Sequence, residues 1–62
     1  MENVRVVWVG GERAEWLAII DFADGGEPEM RRVGVPASAT REDAITEVLG
    51  WGYAREQVSA PA

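Results

Sequence analysis

Two apolar runs lie close together near the start of the chain: Val4-Arg5-Val6-Val7-Trp8-Val9, and Trp16-Leu17-Ala18-Ile19-Ile20-Asp21-Phe22-Ala23. Both are rich in β-branched and aromatic residues, which favours strands. The linking Gly10-Gly11-Glu12-Arg13 makes them a β-hairpin, with the second strand opening at Glu15. Successive side chains on a strand point to opposite faces. A three-residue loop, Gly11-Glu12-Arg13, sets Trp8 opposite Trp16. One face then carries Val4, Val6, Trp8, Trp16, Ala18, Ile20 and Phe22, and the other carries Val7, Val9, Leu17 and Ile19, fringed by Arg5, Glu15 and Asp21. A half-exposed strand alternates apolar with polar residues, whereas a strand covered on both sides reads as continuously apolar. This hairpin asks to be covered twice.

The rest of the chain supplies one cover. Asp24-Gly25-Gly26-Glu27-Pro28 is the strongest break in the sequence. A weaker third strand runs from Met30 to Val35 and is stopped by Pro36. Its two arginines and one glycine place it at a sheet edge. After the loop Ala37-Ser38-Ala39, Thr40 is the N-cap of a helix and Asp43 completes an Asp variant of the capping box. Ala44, Ile45, Val48 and Leu49 form its apolar stripe. Gly50 is placed to be the left-handed residue that ends it, with Trp51 folding back onto Ile45. Tyr53–Val58 reads as a short last strand and Ser59-Ala60-Pro61-Ala62 as a frayed tail. The expected architecture is α+β: a small antiparallel sheet in the order β-β-β-α-β with one helix on one face, residues 1–58 forming a single domain and 59–62 a flexible tail. The helix is expected on the aromatic face, where Trp51 could join Trp8 or Trp16. The reverse arrangement would turn the tryptophan pair into the partner-binding hot spot.

A chain of 62 residues has a core worth only roughly 3–5 kcal/mol unless something staples it. There is no Cys, so disulfides and thiolate metal sites are excluded. There is no His, and all six basic residues are Arg, so the commonest general base, the commonest zinc ligand and Schiff-base chemistry are missing too. A net charge of −5 repels nucleic acid and anionic membrane surfaces, both of which are met first through basic patches. Arg31-Arg32, preceded by Glu27 and Glu29, reads as a solvated strand edge. The apolar runs are far short of a membrane span, and Met1-Glu2-Asn3 lacks the basic region and apolar core of a signal peptide. A cytoplasmic location is the expectation.

Candidate chemical sites are few. Asp21 and Asp24 lie near Gly25-Gly26, and a metal-dependent enzyme built on them is the third-ranked reading. The stretch lacks the spacing of a calcium loop, and Asp24-Gly25 is explained as a turn. Ser38, Ser59 and Thr40 have no activating His or Lys. Trp51-Gly52-Tyr53 is accounted for as a helix terminus. No catalytic, cofactor-binding or metal-ligating residue is assigned, and no small-molecule substrate is expected.

Two likenesses concern arrangement and not motif. Val33-Gly34-Val35-Pro36-Ala37-Ser38-Ala39-Thr40-Arg41-Glu42-Asp43-Ala44-Ile45 resembles the strand-to-helix passage of ubiquitin-like β-grasp domains, without the remaining strands of that fold. From Trp16 to Val58 the order of elements is similar to that of small acidic phage proteins that bind and inhibit host enzymes such as RNA polymerase. Neither likeness assigns a site residue.

The expected function is non-catalytic protein–protein interaction, beginning with self-association into a homodimer. Val7, Val9, Leu17 and Ile19 form the contact surface, with Glu15 and Asp21 at its rim. The runner-up is a monomeric inhibitor or adaptor that turns the same patch, or its acidic rim of Glu12, Glu15 and Asp21, toward a different protein. Cover from within the chain, by the tail or by the Gly25–Pro28 loop, is the competing explanation that needs no partner.

Overall fold

The computed structural model describes residues 2–60. Strand β1 (Asn3–Val9) and strand β2 (Glu15–Asp21) form an antiparallel hairpin, followed by β3 (Glu29–Arg32), helix α1 (Arg41–Leu49), a 3-10 turn (Arg55–Gln57) and β4 (Val58–Ser59). The sheet order is β3-β2-β1-β4. The fold is therefore the expected α+β arrangement, with β3 at one edge. The sheet is mixed and not purely antiparallel, because β4 pairs parallel to β1 through Val4↔Val58 and Arg5↔Ser59. The chain crosses over through α1 to reach the far side of β1, and a strand returning by such a crossover runs parallel to the one it left.

The hairpin register is the one the loop length implies: Trp8 faces Trp16, and Val4 faces Ile20. Val4, Val6, Trp16, Ala18 and Ile20 are buried on one side of the sheet against Ala44 and Val48 of α1, together with Val33. Phe22, Val35, Ile45, Trp51, Tyr53, Val58 and Ala60 pack around them. The helix thus covers the aromatic face. It packs against β1 and β4. The helix-side residues of β3, Glu29 and Arg31, lie beyond its cover, stay exposed and pair with each other at 3.0 Å.

Both ends of the helix have a local cause. Thr40 Oγ1 accepts the N–H of Asp43 at 3.2 Å, and Asp43 Oδ2 accepts the N–H of Thr40 at 3.1 Å, so the capping box closes in both directions. At the other end the expectation fails by two residues. Gly50 is right-handed (φ −64°) and still donates to the Thr46 carbonyl. Trp51 and Gly52 then close tighter bonds onto Val48 and Leu49, and the left-handed residue is Gly52, at φ 107°. These i→i−3 bonds satisfy carbonyls that a Gly50 reversal would have served, so the chain turns later. Trp51 sits inside the reversal, against the core.

The C-terminal segment is also shifted. Only Val58 and Ser59 form a strand, because Arg55–Gln57 coils into the 3-10 turn, which Gln57 Oε1 caps at the Ala54 N–H (2.9 Å). Gln57 Nε2 donates to the Glu2 carbonyl at 2.9 Å and Tyr53 Oη donates to Glu2 Oε2 at 3.0 Å. Ser59, expected in the tail, is instead part of β4, and Ala60 packs against the core. The other two tail residues, Pro61 and Ala62, lie outside the described residues.

Candidate interaction face

The side of the sheet away from α1 is built from alternate residues of three strands. Across the strands, Val7 lies beside Leu17 and Leu17 beside Arg32. In the next row Arg5 lies beside Ile19 and Ile19 beside Met30. Val9 and Glu15 pair at the turn end, and Asn3 and Asp21 at the other. Val7, Leu17, Ile19 and Met30 therefore make one apolar centre, extended by Val9. Val7, Leu17 and Ile19 are half-buried by their neighbours in the sheet, while Val9 is 40% and Met30 67% exposed. None of the five packs against the core cluster. The Gly25–Pro28 loop is exposed along its whole length and Ala60 packs against the core cluster, so among the described residues neither shields this face.

Charge frames the apolar centre at both ends. Arg5 Nε reaches Asp21 Oδ2 at 2.9 Å and Arg5 Nη2 reaches Asp21 Oδ1 at 3.2 Å, a bidentate pair at the Asn3 end. Near the turn, Arg32 Nε lies 3.5 Å from Glu15 Oε2. Each pair is worth no more than about 1 kcal/mol at such exposure. Their larger consequence is that the face is electrically neutral, with two Arg against two carboxylates. The whole chain carries −5, so the excess negative charge lies on the helix, the loops and the other side of the sheet.

The sequence-assigned residues Val7, Val9, Leu17, Ile19, Glu15 and Asp21 thus lie together on one surface. Of the acidic rim Glu12, Glu15 and Asp21, Glu15 and Asp21 are each held by an Arg of a neighbouring strand, Arg32 and Arg5, while Glu12 is exposed in the hairpin loop. Met30 and Arg32 complete the surface and were missed. Their signal was a lone Met two residues before an Arg in an otherwise polar edge strand, legible only once the β2–β3 register is known. Asp21 and Asp24 are each engaged separately: Asp21 holds Arg5, and Asp24 Oδ1 accepts the Gly26 N–H at 2.9 Å to close its own turn. Among the described residues no group of three carboxylate side chains is placed to hold a metal ion. Among the described residues no helix is long and apolar enough to cross a membrane.

Comparison with family models, with curated proteins and with solved structures finds no significant match to this chain.

Proposed function

We propose that the protein is a non-catalytic interaction module that pairs with a second copy of itself through the open sheet face, Val7, Val9, Leu17, Ile19 and Met30 meeting their counterparts. The observation that carries this reading is the combination of an uncovered apolar centre with local neutrality on a chain of net charge −5. Face-to-face contact buries aliphatic side chains while keeping the negative surfaces of both copies pointed outward. A two-fold axis through the face also brings Arg5 and Arg32 of one copy within range of carboxylates of the other, because both signs stand on the same patch. Stacked sheets of this kind pack about 10 Å apart.

Two variants test the assignment. Met30 is on an exposed edge strand, so Met30→Glu leaves the monomer fold intact while placing a charge in the proposed contact. Leu17→Glu places a charge at its centre, on an interior strand where the side chain is half-buried, so its mass is read only after circular dichroism shows it folded. Light scattering is expected to fall from twice the 6.8 kDa chain mass to that of one chain in both. A dimer that survives both substitutions unchanged refutes this face. A wild-type monomer that stays folded assigns the same patch to a different protein.

A further inference from the structure

A second surface lies on the helix side, at the turn end of the hairpin, where the loop before α1 and its first residue meet the two hairpin tryptophans. Trp8, Trp16, Ala37, Ala39 and Arg41 line an open depression of about 340 Å³. The two indole rings stand 5.1 Å apart, tilted at 59°. Trp16 is buried and its Nε1–H donates to the Ala39 carbonyl at 3.1 Å, which locks the floor of the depression in place. Trp8 is different: the residue is 46% exposed, and its indole N–H has no protein acceptor among the described residues. Arg41, at the first turn of α1, makes no ion pair among the described residues, although the chain has nearly twice as many carboxylates as arginines.

We infer that this depression binds a proline-containing peptide segment that carries a carboxylate beside its prolines. Three features select that occupant. The depression is too open to enclose a small molecule, most of whose surface a ligand pocket must bury. An exposed tryptophan with an unused indole N–H offers a flat apolar surface and one donor, which suits a proline ring with its neighbouring carbonyl. The polyproline II conformation keeps those carbonyls free of internal hydrogen bonds and is already extended before binding, so little ordering entropy is lost. Ala37 and Ala39 are small enough to let a backbone approach. The unpaired Arg41 guanidinium supplies the charge complement for an acidic side chain on the segment. This site lies on the opposite side of the sheet from the self-association face and does not depend on it.

The test uses the full chain and a blocked decapeptide in which two Pro-Pro steps flank a Glu. Two control peptides carry Gln for the Glu, or Ala for every Pro. The chain has three tryptophans, so three indole N–H resonances are expected, and the one lost in Trp8→Phe identifies Trp8. The acidic proline peptide is expected to shift the Trp8 resonance saturably below about 1 mM. The Ala peptide should leave it unmoved. Trp8→Phe keeps an aromatic face, smaller than the indole, and removes the donor, and should weaken binding about fivefold, read from the Ala39 and Arg41 amides. Arg41→Gln should weaken the Glu peptide about threefold and leave the Gln peptide unchanged. No saturable shift, equal binding of the Ala peptide, or wild-type affinity in both variants would overturn the inference. Peptide binding that persists in Met30→Glu separates this site from the self-association face.

Discussion

Ile19 and Ile20 are neighbours in sequence with opposite surroundings, and replacing each with Ala separates the two sides of the sheet. Ile20 is 2% exposed, opposite Val4, in the core beneath α1. Truncating such a side chain costs about 2–5 kcal/mol through lost transfer energy and the cavity left behind. A domain of this size holds roughly 3–5 kcal/mol in total. Ile20→Ala is therefore expected to be largely unfolded at 25 °C. The milder Ile20→Val, at about 0.5–1.5 kcal/mol, should remain folded with a lowered midpoint, at about 4–8 °C per kcal/mol. Ile19 is half-buried on the open face, opposite Arg5 and Met30. Losing three half-buried carbons there, at about 0.8 kcal/mol for each when fully buried, costs only about 1 kcal/mol in the monomer. In a homodimer that face is covered, so the wild-type midpoint rises with protein concentration, and Ile19→Ala should reduce that dependence. Thermal unfolding followed by circular dichroism at two concentrations a hundredfold apart reads all three variants. A folded Ile20→Ala beside an unfolded Ile19→Ala would show the faces to be inverted and refute the packing argument.

Two further outcomes follow from the local structure. Thr40→Ala removes one half of the capping box and is expected to cost about 1 kcal/mol in denaturant unfolding, with the slope unchanged. Tyr53, the only tyrosine, is held above its ordinary pKa of 10.0, chiefly by desolvation and then by its hydrogen bond to the Glu2 carboxylate. The fold therefore favours the neutral phenol: the stability it contributes is full below pH 10.0 and is lost as pH rises through the raised pKa. Phenolate absorbance should titrate above 10.0, and Glu2→Gln should bring that midpoint down.

The parts of the fold legible in the sequence were those with strong local causes. The Gly10-Gly11 turn permits few loop lengths, and once Trp8 faces Trp16 the face of every hairpin residue follows, because a strand repeats every two residues. Thr40 and Asp43 mark the start of the helix because orphan N–H groups there need side-chain acceptors. The rest was decided by tertiary context. A two-residue strand such as Val58-Ser59 has no periodicity to read, and its parallel pairing depends on where the crossover delivers it. Gly50 and Gly52 are equally able to end a helix, and the packing of Trp51 between them selects the second. Trp8 shares a face with the core but stands at the turn end of the hairpin, beside the open depression lined by Ala37, Ala39 and Arg41, and so remains half-exposed. The open face was legible as a set of apolar positions. Its neutrality was not, because Arg32 reaches Glu15 only through the β2–β3 register.

Self-association through the sheet face opposite α1 is the central claim, and the mass of the wild-type protein in solution tests it most directly. Light scattering from about 1 to 100 μM should show 6.8 kDa chains giving way to particles of twice that mass as concentration rises, with no larger species. A folded protein that keeps the mass of one chain across that range would contradict it.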